Sequence, residues 1–188
     1  MQPLRRNERT MWISVIVCCS SLSLLGSCAV GRNHTPDAVL ERRFLERQAD
    51  FEALLAEVQS DAGLKTIQPD TVIYGNRLFN VGDGNFSDLE RLGMSRAKWD
   101  YYQAQLRKLG LAGGVLKGGG RVEFRVDPGS ISNGDSYKGY EFRQTPPETV
   151  LSSLDTYRIS NSDWNKFSGW LVYKRLNANW YIYLFVNG

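Results

Sequence analysis

One histidine, three cysteines and a few carboxylates near the middle of the chain are the groups with which this sequence could do chemistry. The histidine is His34, and the cysteines are Cys18, Cys19 and Cys28. Attack by Cys or Ser needs an imidazole or similar base beside the nucleophile. His34 falls in a polar stretch near the N-terminus and reads as a tether residue remote from any pocket, so neither design is expected. A zinc site built from His and Cys lacks ligands for the same reason. Gly113-Gly114-Val115-Leu116-Lys117-Gly118-Gly119-Gly120 is glycine-rich, but no Ser or Thr follows its lysine as a phosphate loop requires. It reads as hairpin turn chemistry. The run from Asp83 begins like a calcium loop, yet Asp88 stands where that loop needs glycine and Met94 where it needs glutamate. Asp127, Asp135 and Glu141 could approach Lys138 across a sheet, and acid–base cleavage of a glycosidic bond needs two carboxylates. Any domain of this size offers such pairs. The expectation is a protein without catalytic residues, metal or cofactor.

Aromatic content is the unusual feature. The chain holds five Trp, nine Tyr and eight Phe, and of these only Trp12 precedes position 28. Tyrosine joins an apolar ring to a polar tip, so Tyr101, Tyr137, Tyr140, Tyr157, Tyr173, Tyr181 and Tyr183 could line a groove. Tyr137, Tyr140, Tyr181 and Tyr183 are the candidates for partner contact.

The N-terminus is organised differently from the rest. Residues 1–10 are polar and basic, with Arg5, Arg6 and Arg9. Met11 to Leu25 is an uncharged, mostly apolar run, shorter than the roughly 20 residues of a membrane-spanning helix and of a length suited to a signal-peptide core. Leu25-Gly26-Ser27-Cys28 follows. This segment resembles the lipobox of bacterial lipoprotein precursors. The resemblance implies cleavage between Ser27 and Cys28, a diacylglyceryl group on the Cys28 thiol and commonly a third acyl chain on its amine. Two such chains already anchor a protein stably. By that family's sorting rule Ala29, in place of aspartate, favours the periplasmic face of the outer membrane in a Gram-negative host. Resemblance to a characterised family stops there: residues 29–188 look like many small bacterial lipoproteins of unassigned role, which carries no active residue across.

Composition bounds the rest. The chain has 188 residues, 42% hydrophobic and 23% charged, with a net charge of +3. These are values for one globular domain. Without the leader the charge is almost balanced, which argues against nucleic acid as a partner. No cysteine follows Cys28, so the mature part has no disulfide although its expected compartment would permit one.

The elements that must position any site follow from periodicity. Ala29 to Pro36 reads as a tether reaching at most about 26 Å. Thr35 is the expected N-cap of a helix, with Pro36 at its first position and Leu40, Phe44, Phe51, Leu55 and Val58 on one stripe. Ser95 caps a second helix over 95–109 that buries Trp99, Tyr102, Leu106 and Leu109, and Gly110 closes it. Thr71 to Tyr74 reads as a strand. Gly113–Lys117 and Arg121–Val126 read as a hairpin, with Val122, Phe124 and Val126 on its buried face. Tyr137–Arg143, Trp170–Leu176 and Trp180–Val186 read as further strands, and Pro146-Pro147 as the start of a short helical turn ending near Leu154. The last strand is apolar on both faces, with Tyr181, Tyr183 and Phe185 opposite Trp180, Ile182 and Leu184. These elements predict an α+β fold: an antiparallel sheet of about five strands with two main helices packed on one face. The expected organisation is a signal peptide over 1–27, a lipidated Cys and tether over 28–36, and one domain over 37–188. Its expected role is that of a lipid-anchored envelope protein, non-enzymatic, acting on another envelope protein. A peptidoglycan- or glycan-binding module is the alternative, and a carboxylate-dependent hydrolase a weaker one.

Overall fold

A computed structural model of the chain describes residues 34–81, 86–127, 136–157 and 170–186. The leader, Cys28, Asp135 and the start of the run at Asp83 lie outside these residues. The described part belongs to one compact unit, Arg32–Gly188. It opens with α1 (Asp37–Ser60), followed by short strands β1 (Leu64–Ile67), β2 (Thr71–Tyr74) and β3 (Arg77–Asn80). Helices α2 (Phe86–Arg91) and α3 (Arg96–Leu109) come next, then β4 (Gly114–Gly118), β5 (Arg121–Arg125), β6 (Ser136–Arg143), β7 (Trp170–Arg175) and β8 (Trp180–Val186).

All eight strands form one sheet in the order β3-β2-β1-β4-β5-β6-β8-β7, antiparallel at every junction. The expected sheet of about five strands with two helices on one face is therefore not what forms. β1 and β3 were not foreseen because each has only four residues, and β3 is almost wholly exposed, so neither shows the alternation that marks a half-buried strand. α2 is a third, short helix. α1 lies along the sheet, but α3 packs beside α1 and the end of β1: the Gln103 amide donates to the Gln68 carbonyl at 2.9 Å, and Lys98 meets Asp61 at 2.8 Å. Nor does the Pro146 segment make a helical turn. It runs in extended and bent backbone, and Val150 bridges to Tyr173.

The core forms where α1 crosses the central strands. Leu40, Phe44, Phe51, Leu54, Leu55 and Val58 of α1 are buried. Phe51 touches the rings of Phe44, Phe124, Tyr140 and Trp180 at centroid distances of 5.5, 5.9, 4.7 and 5.9 Å. Truncating one such ring costs about 3–5 kcal/mol. The α1 stripe skips the turn that holds Arg47 and Gln48, and Arg47 leaves helical geometry there (φ −129°, ψ 20°).

Both ends of α1 are satisfied from elsewhere in the chain. Pro36, not Thr35, is the N-cap residue, and it has no side-chain acceptor. The Asp155 carboxylate takes that role, accepting the Asp37 N–H on both oxygens at 3.0 Å. At the other end the Lys117 ammonium donates to the carbonyls of Val58, Gln59 and Asp61 at 2.9, 3.2 and 2.7 Å. An anion at a helix start and a cation at its end both suit the helix dipole. The lysine inside the glycine-rich run is thus a structural cap, and the run itself is the β4–β5 hairpin, turning through left-handed Gly119 and Gly120.

Candidate functional site

Polar side chains gather at the start of α1, on the face of β6 that α1 covers. Lys138 of β6 points inward there, 1% exposed. Its ammonium lies 2.6 Å from Asp37 Oδ1 and 2.7 Å from Asp155 Oδ1. Asp37 Oδ2 accepts from the Leu154 N–H at 2.7 Å and the Ser153 hydroxyl at 3.2 Å, and Lys174 Nζ stands 3.7 Å away. Burial acts to raise the Asp37 carboxyl, but the Lys138 and Leu154 hydrogen bonds and the Lys138 and Lys174 charges outweigh it and hold it below its ordinary value. The group knots α1, β6, β7 and the segment before β7.

One step further along β6 lies a second polar chain. His34 Nδ1 is 2.9 Å from Asp127 Oδ2, and His34 Nε2 is 2.7 Å from Ser136 Oγ. The Thr35 hydroxyl donates to the other Asp127 oxygen at 3.1 Å. Asp127 follows β5 directly, and Ser136 opens β6. A carboxylate only accepts hydrogen bonds, so in the neutral imidazole the contact with Asp127 places the proton on Nδ1 and leaves Nε2 as the acceptor facing Ser136. His34 and Asp127 retain 18% and 23% side-chain exposure, and Ser136 is half-buried. The sequence expectation that His34 sits away from the folded body is overturned. The position of Thr35 explains its failure to cap α1, since its hydroxyl is engaged by Asp127.

The opposite face of the sheet carries a different set. Glu123 and Glu141 stand opposite one another on β5 and β6. Arg121 and Arg125 each contact Glu123 at 3.1 Å. Arg143 and Arg121 flank Glu141 at 3.4 and 3.9 Å, and the Tyr173 hydroxyl donates to it at 3.3 Å. Glu141 has no solvent exposure, and burial pushes its carboxyl up to about 7 against the pull of the two arginines. The nearby Glu123 charge pushes the same way. Lys138 and Glu141, three residues apart on one strand, point to opposite faces. Glu141, one of the carboxylates that could have approached Lys138, therefore does not, and Asp37 and Asp155 occupy that place.

The four candidate contact tyrosines are divided. Tyr140 is on the α1 face, fully buried, its hydroxyl donating to the Leu40 carbonyl at 3.0 Å. Tyr181 and Tyr183 are buried on the opposite face in a small cluster with Tyr173. Tyr137, on that face too, is half-buried, stacks on Phe185 at 4.7 Å and lies under the Arg125 guanidinium at 4.2 Å. A shallow cleft of about 270 Å³ lined by Gln68, Pro69, Asp70, Thr71, Ala112, Gly113 and Arg125 involves none of the polar groups at the start of α1. Among the described residues no cluster of three or more His, Cys, Asp or Glu could hold a metal ion, and no helix is long and apolar enough to cross a membrane.

Ser136 and Asp155 carried no sequence signal: Ser136 meets His34 across 102 residues, and Asp155 meets the Asp37 N–H across 118. No protein-family model, curated protein or solved structure matches the chain.

Proposed function

We propose that the protein is a cell-envelope lipoprotein, held to a membrane by acyl chains on Cys28, whose folded part acts as an accessory to another envelope protein. The observation that carries the reading is the order of the leader: a basic start, an uncharged apolar run and Leu25-Gly26-Ser27-Cys28. The fold supports it in one respect. The His34 side chain is bound to β6 and to the end of β5, and the stretch of chain from Cys28 to His34 can reach at most about 20 Å. A body held that closely would meet partners at the membrane surface.

The contact surface we assign to the partner is edge strand β3. Among the described residues it pairs only with β2, and Leu78 projects from it 67% exposed. Unpaired strand edges accept extended segments of other proteins. The test is a photo-crosslinking residue at position 78 of the full chain in its host, beside the same residue at exposed Leu45. One dominant envelope protein captured from position 78, absent from position 45 and lost with Cys28→Ala, supports the reading. No adduct, or the same adducts from both positions, contradicts it.

A second reading, glycan binding, draws on the half-buried Tyr137, whose ring is held by Arg125 and Phe185 beside Glu123, so that a sugar would meet its edge and hydroxyl together with these charged groups. Co-sedimentation with purified sacculi that Tyr137→Ala abolishes would favour it over the protein partner.

A further inference from the structure

We propose that His34, Asp127 and Ser136 form an acyl-transfer site that hydrolyses carboxylic esters. The inference stands on the geometry of these three side chains and holds whether or not Cys28 is acylated. Nucleophile, base and orienting acid are recognised by their mutual geometry and not by sequence order. Here each contact is made by the atom the chemistry requires. Asp127 binds Nδ1 and so fixes the tautomer, Nε2 faces the serine oxygen, and the two links measure 2.9 and 2.7 Å. Thr35 holds the second carboxylate oxygen at 3.1 Å, which fixes the plane of the acid. A base within about 2.6–3.2 Å of the hydroxyl it deprotonates is in reach for proton transfer. The His34 and Asp127 side chains keep some access to solvent, and residue Ser136 is half-buried rather than sealed, so the site lies within reach of a substrate.

The reaction is balanced without any further reagent. Ser136 Oγ bonds to the ester carbonyl carbon while its proton passes to His34 Nε2. The carbonyl π pair moves to oxygen and then returns, breaking the bond to the alkoxide, which leaves as an alcohol with the proton from Nε2. Water, deprotonated by His34, attacks the acyl-Ser136 ester. Collapse of that second adduct releases the carboxylic acid and returns the proton to Ser136 Oγ. The Asp127 carboxylate stays ionised and stabilises the imidazolium in each half.

The acyl ester could be a soluble small molecule or a lipid at the membrane surface, and the test separates them. The full chain, purified in detergent, is treated with a fluorophosphonate probe, and peptide mass spectrometry locates the adduct. Hydrolysis is followed on p-nitrophenyl butyrate and on a diacylglycerol in mixed micelles. The proposal expects an adduct on Ser136 and turnover of at least one ester. It expects Ser136→Ala to abolish the adduct, and His34→Gln and Asp127→Asn each to slow hydrolysis at least about 100-fold with the melting temperature kept. Faster turnover of butyrate assigns a soluble ester, and of the diacylglycerol a lipid. A folded wild-type protein with no adduct on Ser136, an adduct without ester turnover, or labelling and turnover indifferent to His34 and Asp127 would each overturn the proposal. The wild-type measurement alone is decisive should the variants fail to fold.

Discussion

Lys138 Nζ sits 2.6 Å from Asp37 Oδ1, and both side chains are sealed from solvent at 1% and 3% exposure. The pair joins the first residue of α1 to the middle of the sheet. Removing one partner leaves an uncompensated charge in the interior, which costs about 3–5 kcal/mol, whereas replacing both by apolar residues is often neutral. Lys138→Met should therefore lower the free energy of unfolding by that amount in urea titrations. The double variant Asp37→Leu/Lys138→Met should lose clearly less than the sum of the two single changes. Additive losses would show that the contact is incidental.

The same contact contributes to the acid sensitivity of the fold, as does Asp61, whose carboxyl is also held below its ordinary value. Asp37 has an ordinary value of 3.8 and is held below it when folded. The unfolded chain then takes up the proton first, so this contribution is complete above pH 3.8 and is lost as pH falls through the lower folded value. Asp37→Asn should flatten the fall in melting temperature below pH 4, at a lower starting stability.

Glu141 acts with the opposite sign and in another window. Its folded value is about 7 against an ordinary 4.5. Between these values the folded state holds the proton that the unfolded state has released, so stability declines as pH rises from 4.5 to 7. The decline should amount to roughly 2–3 kcal/mol. Glu141→Gln removes the titration, and its denaturation midpoint should be nearly flat over this range. A wild-type stability that rises with pH here would contradict the assignment.

How far the sequence disclosed this molecule depends on how local the signal is. α3 was legible to the residue: Ser95 Oγ accepts the Lys98 N–H at 3.2 Å, Gly110 is left-handed at φ 67°, and Trp99, Tyr102, Leu106 and Leu109 are buried. Strands β5, β6 and β8 were legible because burial alternates along β5 and apolar residues fill both faces of β8. Strands β1 and β3 were not, since each has four residues, β3 is almost wholly exposed and β1 buries only its two ends, so neither shows an alternation. The two polar clusters were not legible either. His34 meets Asp127 across 93 residues, and Asp37 meets Asp155 across 118. No period or spacing links residues that only the β5–β6 junction and the start of α1 bring together.

One glycine holds the two parts of the sheet in contact. Gly114 begins β4 at φ +81°, and a Cβ there would fall on the Ile67 carbonyl and 2.9 Å from Gln68 Cα. Ile67 is the β1 residue paired with Val115. Gly114→Ala should cost more than about 2 kcal/mol, combining backbone strain with a clash that parts β1 from β4. Gly119→Ala, at φ +59° with nothing within 4 Å of its Cβ, meets the strain alone and should cost about 1–2 kcal/mol. Equal losses would locate the effect in the dihedral and not in the β1–β4 contact.

Attachment through Cys28 would be read in the mass of the N-terminal peptide of the processed protein. The protein is expressed with its own leader in a bacterial host, extracted in detergent, digested and analysed by mass spectrometry. A lipoprotein gives a first peptide beginning at Cys28 and heavier by a diacylglyceryl group, with or without an amide-linked acyl chain. Cys28→Ala should leave the leader uncut at this position. A mature chain beginning elsewhere, or a Cys28 recovered as a free thiol, would rule out attachment through Cys28.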